Sequence, residues 1–432
     1  MTNHDSNNAA TTGRPHVVIV GGGFGGLNAA RALKDAPVEV TVVDRRNHHL
    51  FQPLLYQVAT ATLSPADIAS PIRSVLRKQQ NIKVLLAEAR AVDVAQREVV
   101  LDGGDRLPYD YLILAAGARR SSYFGHDEWE QFAPGLKTLE DALAIRRRIL
   151  LSFEAAERAD DEATRQRLLS FVVVGGGPTG AELAGAIGEI SRYSLARDFD
   201  NIDPRTARIY LLEAGPRIMP MFPEKLANKA AEFLRQLGVT VRTGAMVTAV
   251  EPDGVRLGDE RIVAHTIIWA AGVTAAAIGK TLGVELDRSG RVHVQTDLTI
   301  PGHPEVFVVG DLATMPGTDG QPLPGVAPVA LQQGRHAAAN IRHVIAGEPM
   351  AAFHYKDRGT LATIGRNRAI ADVGPAKLSG FIAWLAWLFI HIVNLIGFRN
   401  RAVVMVHWVW SYLTFQRGAR LITGPSPTDE AL

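Results

Sequence analysis

His16–Arg46 reads HVVIVGGGFGGLNAARALKDAPVEVTVVDRR, and its reading decides the fold. Val17–Val20 form an unbroken apolar run, the pattern of a strand covered on both faces of a parallel sheet. Gly21, Gly23 and Gly26 follow at the G-x-G-x-x-G spacing, and Leu27, Ala30 and Leu33 continue at helical spacing. A second apolar run, VEVTVVD, ends on Asp44, eighteen residues past Gly26. Glycine lets the backbone turn sharply and come close to a pyrophosphate, whose charge rests at the helix N-terminus. The acid closing the second strand is placed to accept from a ribose hydroxyl. Glycine-rich turns alone are common; strand, glycines, helix, strand and acid in this order are specific to dinucleotide binding.

The device recurs. LLSFVVVGGGPTGAELAGAIGEI carries a strand at Phe171–Val174, then Gly175, Gly177 and Gly180, then Leu183, Ile187 and Ile190 on one helix face. Its acid is Glu213, at the end of ARIYLLE. The interval is longer than in the first copy, and SRYSLARDFDNIDPRTA reads as an extended helix and loop inserted locally. Two such sites in one chain imply two dinucleotides, one held permanently and one passing through. Three shorter signals accompany them. YDYLILAAGA (Tyr109–Ala118) and HTIIWAAGV (His265–Val273) are apolar strands ending near Gly117 and Gly272, one after each device. EVFVVGDLA (Glu305–Ala313) ends in Gly310-Asp311, where a carboxylate suits the ribityl hydroxyls of a flavin.

At 432 residues the chain is long enough for two or three domains. Hydrophobic residues are 47% and charged residues 21%, a globular balance, and a net charge of +2 gives no general attraction to nucleic acid. There are no cysteines, which excludes disulfides, iron–sulfur clusters and thiolate metal sites, so any electrons must travel on an organic cofactor. No His, Asp and Glu cluster has metal-ligand spacing. MTNHDSNNAATTG at the start has no apolar core, so no secretory signal is expected and the body should face the cytosol.

Near the other end, Gly380–Phe398 runs 19 residues without a charge, just enough to cross a bilayer. Arg399–Arg401 then interrupts, and Ala402–Phe415 is too short to return. His407, Ser411, Thr414 and Arg417 form a polar stripe on the second piece. Four of the six tryptophans (Trp384, Trp387, Trp408, Trp410) lie here, together with five cations, Lys377, Arg399, Arg401, Arg417 and Arg420, and no acid. This favours two amphipathic helices lying at a lipid bilayer surface over a single span or a buried contact.

The order of parts is that of the two-dinucleotide-binding-domain flavoproteins. From about Pro15 to Ile422 the chain resembles the type II NADH:quinone dehydrogenases, through NHHLFQPLLYQVATATLSPADIASPIRSVL, VVVGGGPTGAELAG, VFVVGDLA, GVAPVALQQG, RGTLATIGR and YLTFQRGARLI. The resemblance implies an α/β fold of two Rossmann-like domains, the FAD domain interrupted by the NADH domain, with C-terminal amphipathic membrane-anchoring helices. The boundaries expected are a disordered tail at 1–13, the FAD domain at 14–135 and 275–345, the NADH domain at 136–274 and a membrane-association region at 346–432. It assigns Gly21, Gly23, Gly26, Asp44 and Asp311 to tightly bound FAD, and Gly175, Gly177, Gly180 and Glu213 to NADH, with Gly117, Gly310 and Gly272 as further cofactor-binding candidates.

The same resemblance places Glu182 beside flavin and nicotinamide and Gln332 near the acceptor, as the two candidate catalytic residues. Glu182 otherwise reads as an acid favoured by the dipole of a helix first turn, and Gln332 with Gln333 as solvent-facing residues at a helix start. FQPLLYQ (Phe51–Gln57) reads as the flavin's floor or as packing. Glu213 should prefer NADH by repelling a 2′-phosphate. Pro328 stands where many members carry Gln, and Arg358 where Lys is common. The implied activity is NADH oxidation with two electrons passed to a membrane quinone, without proton pumping, at the cytoplasmic face of the inner membrane, by a homodimer. Sulfide:quinone oxidoreductases share this plan but need cysteines; a soluble ferredoxin-type reductase and a flavin-based redox sensor remain alternatives.

Overall fold

The computed structural model describes residues 13–414 and 417–424. The tail expected to be disordered lies, but for Gly13, outside the described residues, as does Phe415. The chain forms two compact units, one of residues up to His49, Pro71–Arg119 and Ala275–Lys356, the other of Leu50–Ser70, Arg120–Thr274 and Asp357 onward.

In the first unit six strands form one sheet in the order Thr299–Ile300, His303–Val308, Tyr111–Leu114, His16–Val20, Glu39–Asp44, Ile82–Leu86. All neighbours run parallel except the edge pair of Thr299–Ile300 with His303–Val308. Val17 pairs with Val40 on one side and Tyr111 on the other, and Val17–Val20 are buried, as the apolar run predicts. The chain leaves this central strand in one direction and returns on its other side, so a crevice opens at its C-terminal end. Gly21 turns there with φ +103°, and the helix Phe24–Ala32 follows. Gly26 is required by contact, since a Cβ on it would lie 1.8 Å from the Gly21 carbonyl oxygen.

The second unit repeats the plan with four parallel strands, Val239–Thr243, Arg208–Glu213, Ser170–Val174 and Thr266–Trp269 in that order. Gly175 turns with φ +108° into the helix Pro178–Glu189. Beyond it the expected helical extension is a single π-helical turn, Ile190–Ser194, and a loop leads to Arg208. That loop is pinned by the Glu157 carboxylate, which accepts the amides of Asp200, Asn201 and Ile202 at 2.9–3.2 Å. The same unit holds an antiparallel sheet, Thr360–Gly365, Arg368–Val373 and Ala376–Ser379, followed by two helices, Phe381–Asn394 and Phe398–Thr414.

These helices correct the reading of the tail. The apolar run is divided at Leu395–Gly397, where Leu395 is extended and Gly397 has φ +92°. Arg399–Arg401 lies inside the second helix rather than between two pieces, and Arg401 donates to the carbonyls of Leu395 (2.7 Å) and Val393 (2.8 Å), satisfying the end of the first. No described helix is long and apolar enough to cross a membrane. Arg417 lies beyond the helix end at Thr414 and is buried, so it does not extend the polar stripe.

Candidate active site

In the first unit Asp44 holds the glycine loop itself. One carboxylate oxygen accepts the Gly22 amide at 2.6 Å and the other the Arg46 amide at 2.7 Å. A Cβ at Gly23 or Gly117 would meet nothing within 4 Å, leaving the backbone open to a close ligand. Gly310, with φ +73°, donates its amide to the buried Gln333 side chain at 2.8 Å, and Asp311 follows in a short 3-10 turn. The helix after it begins at Ala327, so Gln332 and Gln333 lie in its second turn, not at its start. Pro328 sits in the first turn, where a missing N–H leaves no intrahelical bond unmade. Gln332 binds the main chain of Lys356 twice, its amide donating to the carbonyl and its oxygen accepting the N–H, both at 3.0 Å. The open glycines, the acid-clamped loop and the Gly310-Asp311 turn fit a dinucleotide such as FAD.

The second unit repeats the clamp. Glu213 accepts the Gly176 amide at 2.6 Å and the Gly215 amide at 2.7 Å, and Gly177 again faces open space. Gly272 turns with φ +65° against Phe124 and Ser122. Arg217 donates to the Pro220 carbonyl at 3.1 Å. The residues suit a second dinucleotide.

Glu182 is not in the helix first turn. The helix starts at Pro178, so Glu182 sits one turn in, and helix-dipole preference does not account for it. Its remaining exposure is to a cavity that it lines with Tyr56, Glu189, Thr363, Trp387 and Arg417, among others. Burial pushes its carboxyl up to about 8, against the opposing pull of the Thr363 amide, which donates to it at 3.4 Å. Gly185, one turn further on, lets this helix meet the hairpin that carries Thr363; a Cβ there would lie 2.0 Å from the Ile364 carbonyl oxygen.

Opposite, Trp408 of the second tail helix donates its indole N–H to Gln57 (2.8 Å), whose amide donates to the Tyr56 hydroxyl (2.9 Å). Burial lifts the Tyr56 hydroxyl well above its ordinary range. FQPLLYQ therefore serves this cavity and the tail: Phe51 meets His391 edge-on at 6.1 Å. Arg417 donates to the Thr60 carbonyl at 2.8 Å and to Glu189 at 3.0 Å; burial lowers its pKa and Glu189 opposes that. Sequence reasoning singled out Glu182, placed Tyr56 only in a flavin floor or packing and Arg417 only on a polar surface stripe, and missed Glu189. Arg417 had a signal, as the one charge in a stripe of neutral polar residues.

Residues 15–334 match the pyridine nucleotide-disulphide oxidoreductase family, and residues 358–417 the NDH2 C-terminal domain. The chain is 47% identical to the type II NADH:quinone oxidoreductase NdhA of Mycobacterium tuberculosis, over 98% of this chain and 92% of that protein. The chain belongs to the type II NADH:quinone oxidoreductases. A second such enzyme of that organism, Ndh, is also 47% identical, over 95% of this chain and 90% of the relative. NDH2 of Plasmodium falciparum, solved in complex with NADH, shares the fold with a TM-score of 0.86 at 19% identity, covering 95% of this chain and all of that one. The sulfide:quinone oxidoreductase of Aquifex aeolicus also shares it, with a TM-score of 0.70 at 18% identity over 93% of this chain and 92% of that one. The type II oxidoreductase described here has no cysteine with which to perform sulfide chemistry.

Proposed function

We propose that this protein oxidises NADH and reduces a quinone, with FAD as resident cofactor. The observation that carries the reading is the cavity in which Glu182, a carboxyl raised to about 8, meets the aromatic tail. Bound FAD would supply the two-electron chemistry that links hydride from NADH to the quinone. Gly21, Gly23, Gly26, Asp44, Gly117, Gly310 and Asp311 hold FAD, in a domain of 14–135 and 275–345. Gly175, Gly177, Gly180, Glu213 and Gly272 hold NADH in the inserted domain 136–274. Gln332 acts by fixing Lys356.

Hydride brings two electrons and one proton, so quinol formation needs one more proton from solvent. Glu182 relays it: its carboxyl O–H gives a proton to a quinone oxygen and the carboxylate is then reprotonated. A group titrating near 8 is protonated at neutral pH yet able to give up its proton.

The tail seats the enzyme on a bilayer as a peripheral protein. Ile382 (66% exposed), Phe389 (70%), Val406 (66%) and Leu413 (71%) support this, since apolar outward faces on two helices suit an interface. The basic contribution is smaller than the sequence implied: Arg417 and Arg420 turn inward to Glu189 and Asp198, leaving Lys377, Arg399 and Arg401 outside. The cytoplasmic face and a homodimer complete the proposal.

The flavin-loaded protein, mixed with NADH and a water-soluble benzoquinone, should consume NADH with one quinol formed per NADH. No NADH loss would sink the reading. Turnover only on addition of sulfide or ferredoxin would replace it with another acceptor.

A further inference from the structure

Two carboxyls line the cavity, and they are treated oppositely. Glu182 and Glu189 are seven residues apart on one helix, hence about 10 Å apart along the same face. Glu182 has one long bond, to the Thr363 amide, and no cation bonds it among the described contacts. Glu189 is saturated: the Arg366 amide donates to one oxygen at 2.5 Å and the buried Arg417 guanidinium to the other at 3.0 Å. Arg417 comes from the segment beyond the tail helices and is fixed on its other side by the Thr60 carbonyl, at the end of the short helix Leu55–Ala59 that carries Tyr56.

We propose that Arg417 is a positioning residue: by pairing with Glu189 it balances the charge facing Glu182 and so sets the pH range over which Glu182 can pass its proton to the quinone. The inference rests on the reading of this cavity as the acceptor site. The charged and titratable groups facing Glu182 are Tyr56 on the short helix, Glu189 and Tyr193 on its own helix and the π-turn, Arg366 on the hairpin, Tyr412 on the second tail helix and Arg417. Of these, Glu189 and Arg417 form an ion pair, and the Arg366 guanidinium lies over the Tyr412 ring at 4.1 Å. Each member alone acts on Glu182 with the opposite sign.

The test is the pH profile of quinone reduction by the full-length, flavin-loaded protein, using NADH and a short-tailed benzoquinone. Activity should fall as pH rises through the Glu182 titration. Arg417→Gln leaves an uncancelled anion, so this alkaline limb should move up by about one pH unit, the size of one charge at such a distance in a partly buried site. Glu189→Gln leaves an uncancelled cation, so the limb should move down by a similar amount. The double variant should return close to the parent, and Arg417→Lys should restore most of the profile. NADH reduction of the bound flavin, followed without quinone, should keep its rate in every variant.

Equal slowing at all pH values in both single variants, with the limb unmoved, would show a purely structural role and overturn the proposal. Shifts of the same sign would overturn it too. If Arg417→Gln does not fold, the downward shift in Glu189→Gln alone decides the matter. The acceptor-site reading fails separately, when Glu182→Gln leaves the limb where it was.

Discussion

At the scale of single residues, Glu182 and Glu213 show what sequence could and could not reveal. Glu213 was legible despite the longer interval after Gly180, because a glycine loop and a closing strand end fix its place. Its clamp on the Gly176 and Gly215 amides was not, since both partners are main chain. Glu213→Ser should raise kcat/KM with NADPH relative to NADH, by about tenfold or more, measured in steady state with both nucleotides. Glu182 was legible as a residue but not as an environment: its cavity draws on positions from Tyr56 to Arg417. The sign of its effect on stability follows from its raised pKa. A carboxyl near 8 in the fold and near 4.5 in the unfolded chain binds more protons when folded, so its stabilising contribution is complete below about 4.5 and lost as pH rises to about 8. Glu182→Gln should therefore melt higher than the parent, with a gap in Tm that widens from pH 5 to pH 8 in thermal scans.

At the scale of elements, the strand–glycine–helix copies could be read because their information is local: apolar runs, glycine spacing and a closing acid. Helix limits in the tail could not. The 19 uncharged residues gave no internal stop before Gly397, and the break is set by Gly397's positive φ together with the bonds Arg401 makes to the end of the first helix. The start of the Glu182 helix was likewise set by Pro178, which belongs in the first turn and moves Glu182 into the second. Contact between that helix and the Thr360–Gly365 strand depends on Gly185. Gly185→Ala forces a methyl against the Ile364 carbonyl, so the two elements must part. The expected cost is about 1–3 kcal/mol of stability by chemical denaturation, with quinone reduction falling more than flavin reduction by NADH.

At the scale of the molecule, the tail does more than the sequence suggested. Trp384, Trp387, Trp408 and Tyr412 are walls of the Glu182 cavity as well as parts of the proposed anchor helices. A protein lacking residues 378–432 should leave the membrane fraction, reduce its flavin with NADH, and fail to reduce a soluble quinone. Lysines at Ile382 and Phe389 separate the two roles, because both side chains point outward: membrane sedimentation should drop while soluble-quinone reduction persists.

The paired clamps of Asp44 and Glu213 have a kinetic meaning. Each loop is already tied to its acid through a main-chain amide, so its shape does not depend on a nucleotide arriving. A nicotinamide dinucleotide must enter and leave at every turnover, and at the proposed NADH loop a mouth that keeps its form between visits would spare each arriving NADH the ordering entropy of building it. The same rigidity in the proposed FAD loop would serve residence instead: a cofactor that stays would meet no floppy intermediate through which to slip out.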